Sequence, residues 1–361
     1  PATYRGLLDQ FGDAKAALEA VPELAKRGGS KRPPKLALAS ASQTELERLA
    51  AVGGTMLFEG EPDFPLQLSA ADGSPPLISV LGHPSLLTKD QVGLVGARNA
   101  SPNGQRFAQA MAQELGEARF VVTSGLARGL DTVAHTGALA TGTIAVVAGG
   151  VDVIYPLENT KLYRQIVEQG AVVSEMPFGT EPAARLFPKR NRIIAGLVRG
   201  LVLIEAKIQS GTLITARAAN DFGRTLFAIP GAPYDPRAGG CNLMIRQGAT
   251  LTRSAKDVIE DLQAETQIEE PSFGGKNRGF SDTPRSDYDE ASVDKVRESL
   301  CQLITIDATS VDDLIQRCQV SPKLVQAALI ELELAGRIDR LPGGKVAAVA
   351  DLKQPDQGFD F

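Results

Sequence analysis

Tryptophan is absent from this 361-residue chain, and histidine and cysteine number only two and three. The cysteines (Cys241, Cys301 and Cys318) are dispersed, odd in number and without CxxC spacing. With His83 and His135 as the only histidines, neither a metal cluster nor a disulfide framework is expected, and the cysteines read as reduced core residues. No apolar run approaches the roughly 18 residues of a membrane span, and no signal peptide is visible. A cytoplasmic protein without membrane attachment is therefore expected. The chain opens at Pro1 rather than at methionine, so an N-terminal piece is expected to be missing. An excess of positive charge is lacking too: 38 basic residues face 43 acidic ones, for a net charge of −5. Any polyanion must then be met by a local basic patch and not by a global field.

Hydrophobic residues, at 43%, are ample for packed cores, and the length implies two to three domains. The pattern divides the chain into blocks. Residues 1–75 are rich in alanine and leucine with helical periodicity, interrupted at Lys31-Arg32-Pro33-Pro34-Lys35. This block reads as a small helical domain, compatible with the sterile-alpha-motif or helix-hairpin-helix type; the glycine pattern with which a hairpin grips DNA is not evident, so it reads as a packing module. Residues 76–264 alternate near-continuous apolar runs with helical segments. The runs are Val92–Gly96, Phe120–Ser124, Thr143–Ala148, Ala171–Glu175, Leu201–Glu205 and Thr225–Ile229. Such runs fit a parallel sheet covered on both faces. The expected class is α/β, an extended Rossmann-like, doubly wound and mostly parallel sheet with ligands at the carboxyl ends of its strands. Residues 265–290, rich in glycine, proline and charge, read as a flexible linker. Residues 291–350 predict three helices, the third opened by Ser321-Pro322 and running to Ala335, then a hairpin over 338–346. That is a winged helix; residues 351–361 remain as a tail.

Candidate chemistry gathers at turns after the strands. The first, Gly96-Ala97-Arg98, lacks the GxGxxG of a dinucleotide site; an arginine there is placed to fork onto a phosphate. The second, Ser124-Gly125-Leu126-Ala127-Arg128-Gly129, pairs backbone-exposing glycines with a cation. Asp131 and His135 follow on one helical face; at this spacing they more often brace a loop than form a catalytic set with Ser124. Lys161 is a possible phosphate contact, and Tyr155 reads more as packing than as a base platform. In Phe187-Pro188-Lys189-Arg190-Asn191-Arg192, three cations fall at what reads as the start of a helix from Arg190 to Arg199, which suits a phosphate. Ser210-Gly211-Thr212 is another small-residue turn into a helix.

Together SGLARGLDTVAH, the GG…YPLEN segment, FPKRNRIIAGL, the EA…SGTLITA run and Pro230-Gly231 stand in an order and spacing that closely resembles the DNA-processing protein A family, DprA or Smf. The resemblance spans about residues 85–255. It implies a homodimeric core that binds single-stranded DNA in a basic pocket and delivers the recombinase RecA during natural transformation. It implies neither an enzymatic activity nor a cofactor. Carried over, the phosphate-binding arginine falls on Arg98, the glycines of the second motif on Gly125 and Gly129, and the basic cluster on Lys189, Arg190 and Arg192. Two departures stand out. Phe64-Pro65 replaces a tyrosine-proline pair, and Leu157 occupies a position often held by lysine, leaving Lys161 or a neighbour to supply that charge.

The expected function is sequence-tolerant single-strand binding. Arg98, Lys189, Arg190 and Arg192 would contact phosphates, and Phe187 would stack on a base. A nucleotide-processing hydrolase of the lysine-decarboxylase-like group is the enzymatic rival, but its PGGxGT motif is missing. A winged-helix transcription regulator is the other. Against it, the third helix offers Lys323, Gln326, Glu331 and Glu333 as exposed candidates, a poor match to a phosphate-lined groove.

Overall fold

The structure, a computed structural model, describes residues 2–30, 34, 36, 39–268, 290–341 and 343–349. The chain begins with α1 (Ala2–Phe11), α2 (Ala14–Arg27) and α3 (Ala39–Ala51), then β1 (Thr55–Phe58), α4 (Leu66–Ser69) and β2 (Leu77–Gly82). The alternating core follows: β3 (Gln91–Val95), α5 (Pro102–Glu117), β4 (Val121–Ser124), α6 (Leu130–Ala138), β5 (Thr143–Val146), α7 (Thr160–Gln169) and β6 (Ala171–Ser174). It continues through α8 (Leu186–Leu197), β7 (Gly200–Leu203), α9 (Thr212–Asp221), β8 (Thr225–Ala228), α10 (Gly239–Arg246), β9 (Thr250–Leu251) and α11 (Ala255–Ile268). The last elements are α12 (Glu290–Leu303), β10 (Thr309–Ser310), α13 (Val311–Cys318), α14 (Pro322–Leu334), β11 (Ile338–Leu341) and β12 (Lys345–Ala348).

Two compact units form, one from residues 39–273 and the other from 1–38 with 274–361. The first carries a nine-stranded sheet in the order β1-β2-β6-β5-β4-β3-β7-β8-β9. From β6 to β9 every pairing is parallel. β1 and β2 add antiparallel strands at one edge. Each of the six apolar runs becomes a strand, and β3 to β7 are buried throughout. Helices cover both faces over two clusters of buried aliphatic residues, as a parallel sheet requires. The order reverses between β3 and β7, so a crevice opens there at the strands' carboxyl ends.

The units divide near residue 38, whereas a helical block to residue 75 was expected. The reason is pairing: Thr55–Phe58 aligns antiparallel with Leu77–Gly82, which draws residues 55–82 into the sheet. At the other end, the expected linker starts inside α11, which runs to Ile268; residues 269–289 and the tail 351–361 lie outside the described residues.

The second unit contains the winged helix, with β10-β12-β11 beside α12 to α14 and a core including Leu300, Leu314, Val325, Leu329 and Val346. Ser321 caps α14, its Oγ accepting from the Leu324 N–H, and Pro322 occupies the first turn, where no N–H is needed. α1 and α2 pack on α14. A methyl added at Gly28 would meet the Glu331 carbonyl oxygen at 1.9 Å, and one at Gly6 would meet Ile330 Cδ1 at 2.5 Å. The Thr3 hydroxyl donates to Glu333.

This arrangement corrects the reading of α14. Glu331 is buried and ion-paired with Arg297 at 2.6 Å, and Glu333 and Gln326 accept hydrogen bonds from Arg340. Of the four residues expected to be exposed, only Lys323 is.

Candidate nucleic-acid interface

The crevice is built by turns that hold one another. Glu205, just after β7, accepts from the Ser101 N–H at 2.9 Å and from its hydroxyl at 2.5 Å. Ser101 in turn caps α5 by accepting from the Gly104 N–H. Thr212, at the start of α9, donates its hydroxyl to the Gly96 carbonyl at 3.1 Å. The turns after β3 and β7 are thereby clamped together across the point where the strand order reverses.

The turn after β4 is braced from below. The Thr143 hydroxyl donates to the Val122 carbonyl at 2.7 Å, so its oxygen is left to accept from His135 Nδ1 at 2.8 Å. His135 Nε2 then accepts from the Leu126 N–H at 3.3 Å. That is a neutral imidazole with both nitrogens used, and burial, followed by the charge of Arg190, pushes its pKa down to about 3. Asp131 accepts from the Ala127 N–H at 3.2 Å; burial raises its pKa, against the opposing pull of Arg190. Gly129 adopts φ +80°, and an added Cβ would lie 2.4 Å from the Arg98 carbonyl oxygen, so only glycine suits both the conformation and the close approach. Ser124, Asp131 and His135 form no catalytic relay. Ser124 is fully buried and its hydroxyl donates to the Leu94 carbonyl at 2.6 Å, so it does not reach a ligand.

The basic cluster distributes differently from its sequence reading. α8 starts at Leu186, four residues before Arg190. The cations therefore do not mark a helix N-terminus; they lie within its first turns and leave the axis in different directions. Arg190 points inward and is only 6% exposed. Its guanidinium lies over Gly125, where an added Cβ would fall 1.4 Å from Nη1, and Nη1 donates to the Val146 carbonyl at 3.2 Å. Arg192 turns away to an ion pair with Glu175 and the Gly73 carbonyl. Lys189 and Lys161 are exposed but line neither hollow described below.

Phe187 stands at the centre of the crevice. The Arg98 guanidinium carbon is 5.3 Å from its ring centroid and that of Arg190 is 5.9 Å away, both within cation–π range. Tyr155, half exposed, meets the same ring at 6.0 Å in a tilted contact. Two hollows share Arg98, Asn99, Ala127, Phe187 and Arg190. The smaller, about 450 Å³, lies toward β4 and β5 and reaches Gly125, Arg128, Gly149 and Tyr155. The larger, about 860 Å³, lies over the point of reversal and reaches Gly96, Asn191, Lys207, Ser210, Gly211, Thr212 and Arg237.

The electrostatics of this crevice are positive in an acidic chain. Arg98 is exposed and makes no ion pair among the described residues, unlike Arg128, which pairs with Glu158. Burial lowers the Arg190 pKa, Asp131 opposes that shift, and the nearby Arg98 charge adds to it. An anion at the mouth would relieve the repulsion between the two guanidiniums. Asn99, Lys207 and Arg237 also line the crevice without a signal in the sequence, because their placement depends on loops with no apolar period to read, and Tyr155, read as packing, stands half exposed at its mouth. Among the described residues, no group of acidic, histidine and cysteine side chains is placed to hold a metal ion, and no helix is long and apolar enough to cross a membrane.

Comparison with known proteins agrees with this architecture. The family model described as DNA recombination-mediator protein A matches residues 55–263, the DprA winged helix domain matches 284–344, and the DprA-like N-terminal HHH domain matches 1–48. Protein Smf of Escherichia coli (strain K12) is 36% identical over 289 residues, covering 78% of this chain and 74% of that protein. The X-ray structure of DNA processing protein A from Streptococcus pneumoniae superposes with a TM-score of 0.61 at 33% identity, covering 72% of this chain and 95% of that one. A structure of the Helicobacter pylori protein, described for its single-stranded DNA binding mode, gives a TM-score of 0.54 at 26% identity over 59% of this chain and 96% of that one. With a family model covering more than half of its length, the chain belongs to the DNA recombination-mediator protein A family, whose members are named DprA and Smf.

Proposed function

We propose that this chain binds single-stranded DNA without sequence-specific contacts along most of its length, holding the strand across the crevice at the carboxyl ends of β3, β4 and β7. One observation carries the reading: an exposed, unpaired Arg98 and a buried Arg190 converge on the ring of Phe187 at the mouth of a parallel sheet. Cations beside an aromatic face suit a substrate that carries both phosphates and unstacked bases. Single-strand binding by the Helicobacter pylori relative supports it. Delivery of RecA onto the bound strand, homodimerisation and a cytoplasmic location belong to the same proposal and rest on family membership.

Fluorescence anisotropy with one labelled oligonucleotide, single-stranded and as a blunt duplex, tests the reading. The single strand should bind more tightly. Arg98→Glu should leave the fold intact and remove at least one charge-assisted contact, on the order of 1.5–3 kcal/mol. It should also flatten the salt dependence by about 0.7 in log–log slope. A folded Arg98→Glu variant with wild-type affinity and salt slope would sink the assignment.

A further inference from the structure

Arg98, Arg128 and Arg190 all line the smaller hollow, and each is held differently. Arg98 is exposed and makes no ion pair among the described residues. Arg190 is buried. Arg128 is exposed too, yet its Nη2 donates to Glu158 Oε1 in an ion pair whose side chains are 65% and 60% exposed. Of the two cations here that a strand can reach from solvent, one is therefore already engaged by a carboxylate of the chain itself.

The backbone keeps these two residues together. Glu158 belongs to a single 3-10 turn, Leu157–Asn159, and Asn159 beside it is buried. Asn159 Nδ2 donates to the Leu126 carbonyl at 2.9 Å and to the Thr132 hydroxyl at 3.0 Å. The Thr132 hydroxyl donates in turn to the Ala127 carbonyl at 2.8 Å. These bonds pin the segment carrying Glu158 to the turn carrying Arg128, so neither backbone drifts from the other. The two side chains stay free to part, because both lie mostly in solvent.

Magnitudes decide what a phosphate does at this pair. An exposed ion pair shifts an equilibrium by no more than about fivefold. A charge-assisted hydrogen bond to a phosphate is worth about tenfold or more. A strand lying on Phe187 can then take Arg128 from Glu158, but gains less than it would from a free arginine. We propose, resting on the single-strand reading above, that Glu158 stands in for a strand phosphate on Arg128 and holds the affinity below what the crevice's cations would otherwise reach. It acts through Arg128 and makes no contact with DNA. The strand is gripped and remains exchangeable.

A double-mutant cycle on the full chain tests this, with a labelled thymidine oligonucleotide followed by fluorescence anisotropy. Glu158→Gln should bind about two- to fivefold more tightly than wild type at low salt, the range released by losing an exposed ion pair. That gain should shrink as salt is raised, since a solvated pair is screened. Arg128→Ala should bind more weakly than wild type. Adding Glu158→Gln to Arg128→Ala should then change nothing, because the carboxylate has no cation left to occupy. Thermal midpoints of all three variants should stay near that of wild type, as expected for side chains this exposed. An equal gain with and without Arg128 would show that Glu158 acts only as a general negative charge, and overturns the proposal. So does an unchanged affinity for either single variant, in both cases leaving single-strand binding intact. Failure of wild type to bind the strand overturns both readings.

Discussion

Gly125→Ala is the most revealing single perturbation of this crevice. The added methyl would fall 1.4 Å from Arg190 Nη1 and 2.4 Å from its Cζ, well inside contact distance, so the guanidinium must leave its seat. Leaving breaks the bond to the Val146 carbonyl and removes the charge that opposes burial at Asp131. Overpacking of this kind costs about 1–3 kcal/mol. A net loss within that range is expected, and Asp131, whose pKa burial already raises, can take up a proton as the guanidinium moves away. Urea unfolding should show a lower midpoint with an unchanged slope, and single-strand affinity should fall at least tenfold. Gly211→Ala is the contrast, since nothing lies within 4 Å of an added Cβ there, and its midpoint should barely move. A Gly125→Ala protein as stable and as tight-binding as wild type would refute the seating of Arg190.

Two further outcomes follow from the same geometry. His135 has its folded pKa lowered from 6.5 to about 3, so its neutral form contributes stability present above 6.5 and lost as pH falls toward 3. Between pH 7 and pH 5 this amounts to about 2 kcal/mol, so the stability gap between wild type and His135→Gln should narrow by that amount; a gap constant with pH would contradict the bracing role. Asp131, shifted the other way, is common to both proteins and cancels. A chain of residues 39–268 should fold and bind an oligonucleotide within a few-fold of the full chain, because it contains the sheet unit and the whole crevice; a folded but non-binding chain would place the site elsewhere. Removing the C-terminal block alone is a poorer test, since α1 and α2 would lose the α14 surface they cover.

What the sequence made legible follows from which forces act locally. Near-continuous apolar runs announced all six central strands, because a strand buried on both faces leaves no polar alternation. β1, by contrast, is four residues of mixed exposure at a sheet edge, and its only signature is its pairing with β2, which is non-local. Phe187 and Arg98, both candidates in the sequence, line the crevice, Arg98 from the turn after β3 and Phe187 from the first turn of α8. Arg190 and Arg192 looked equivalent in sequence, yet two positions on a helix differ by about 200°, and one faces Gly125 while the other faces Glu175. The covering of α14 by α1 and α2 was illegible too, since it joins segments some three hundred residues apart, as in the Thr3–Glu333 hydrogen bond.

Photo-crosslinking with an oligonucleotide carrying 5-iodouracil, followed by mass-spectrometric mapping on the full chain, tests the central claim most directly. A strand held across the crevice should form adducts at Phe187 or Tyr155, whose rings meet at its mouth, and Arg98→Glu should abolish them. Adducts confined to residues 290–349, with none on either ring, would show that the strand is held by the winged helix instead.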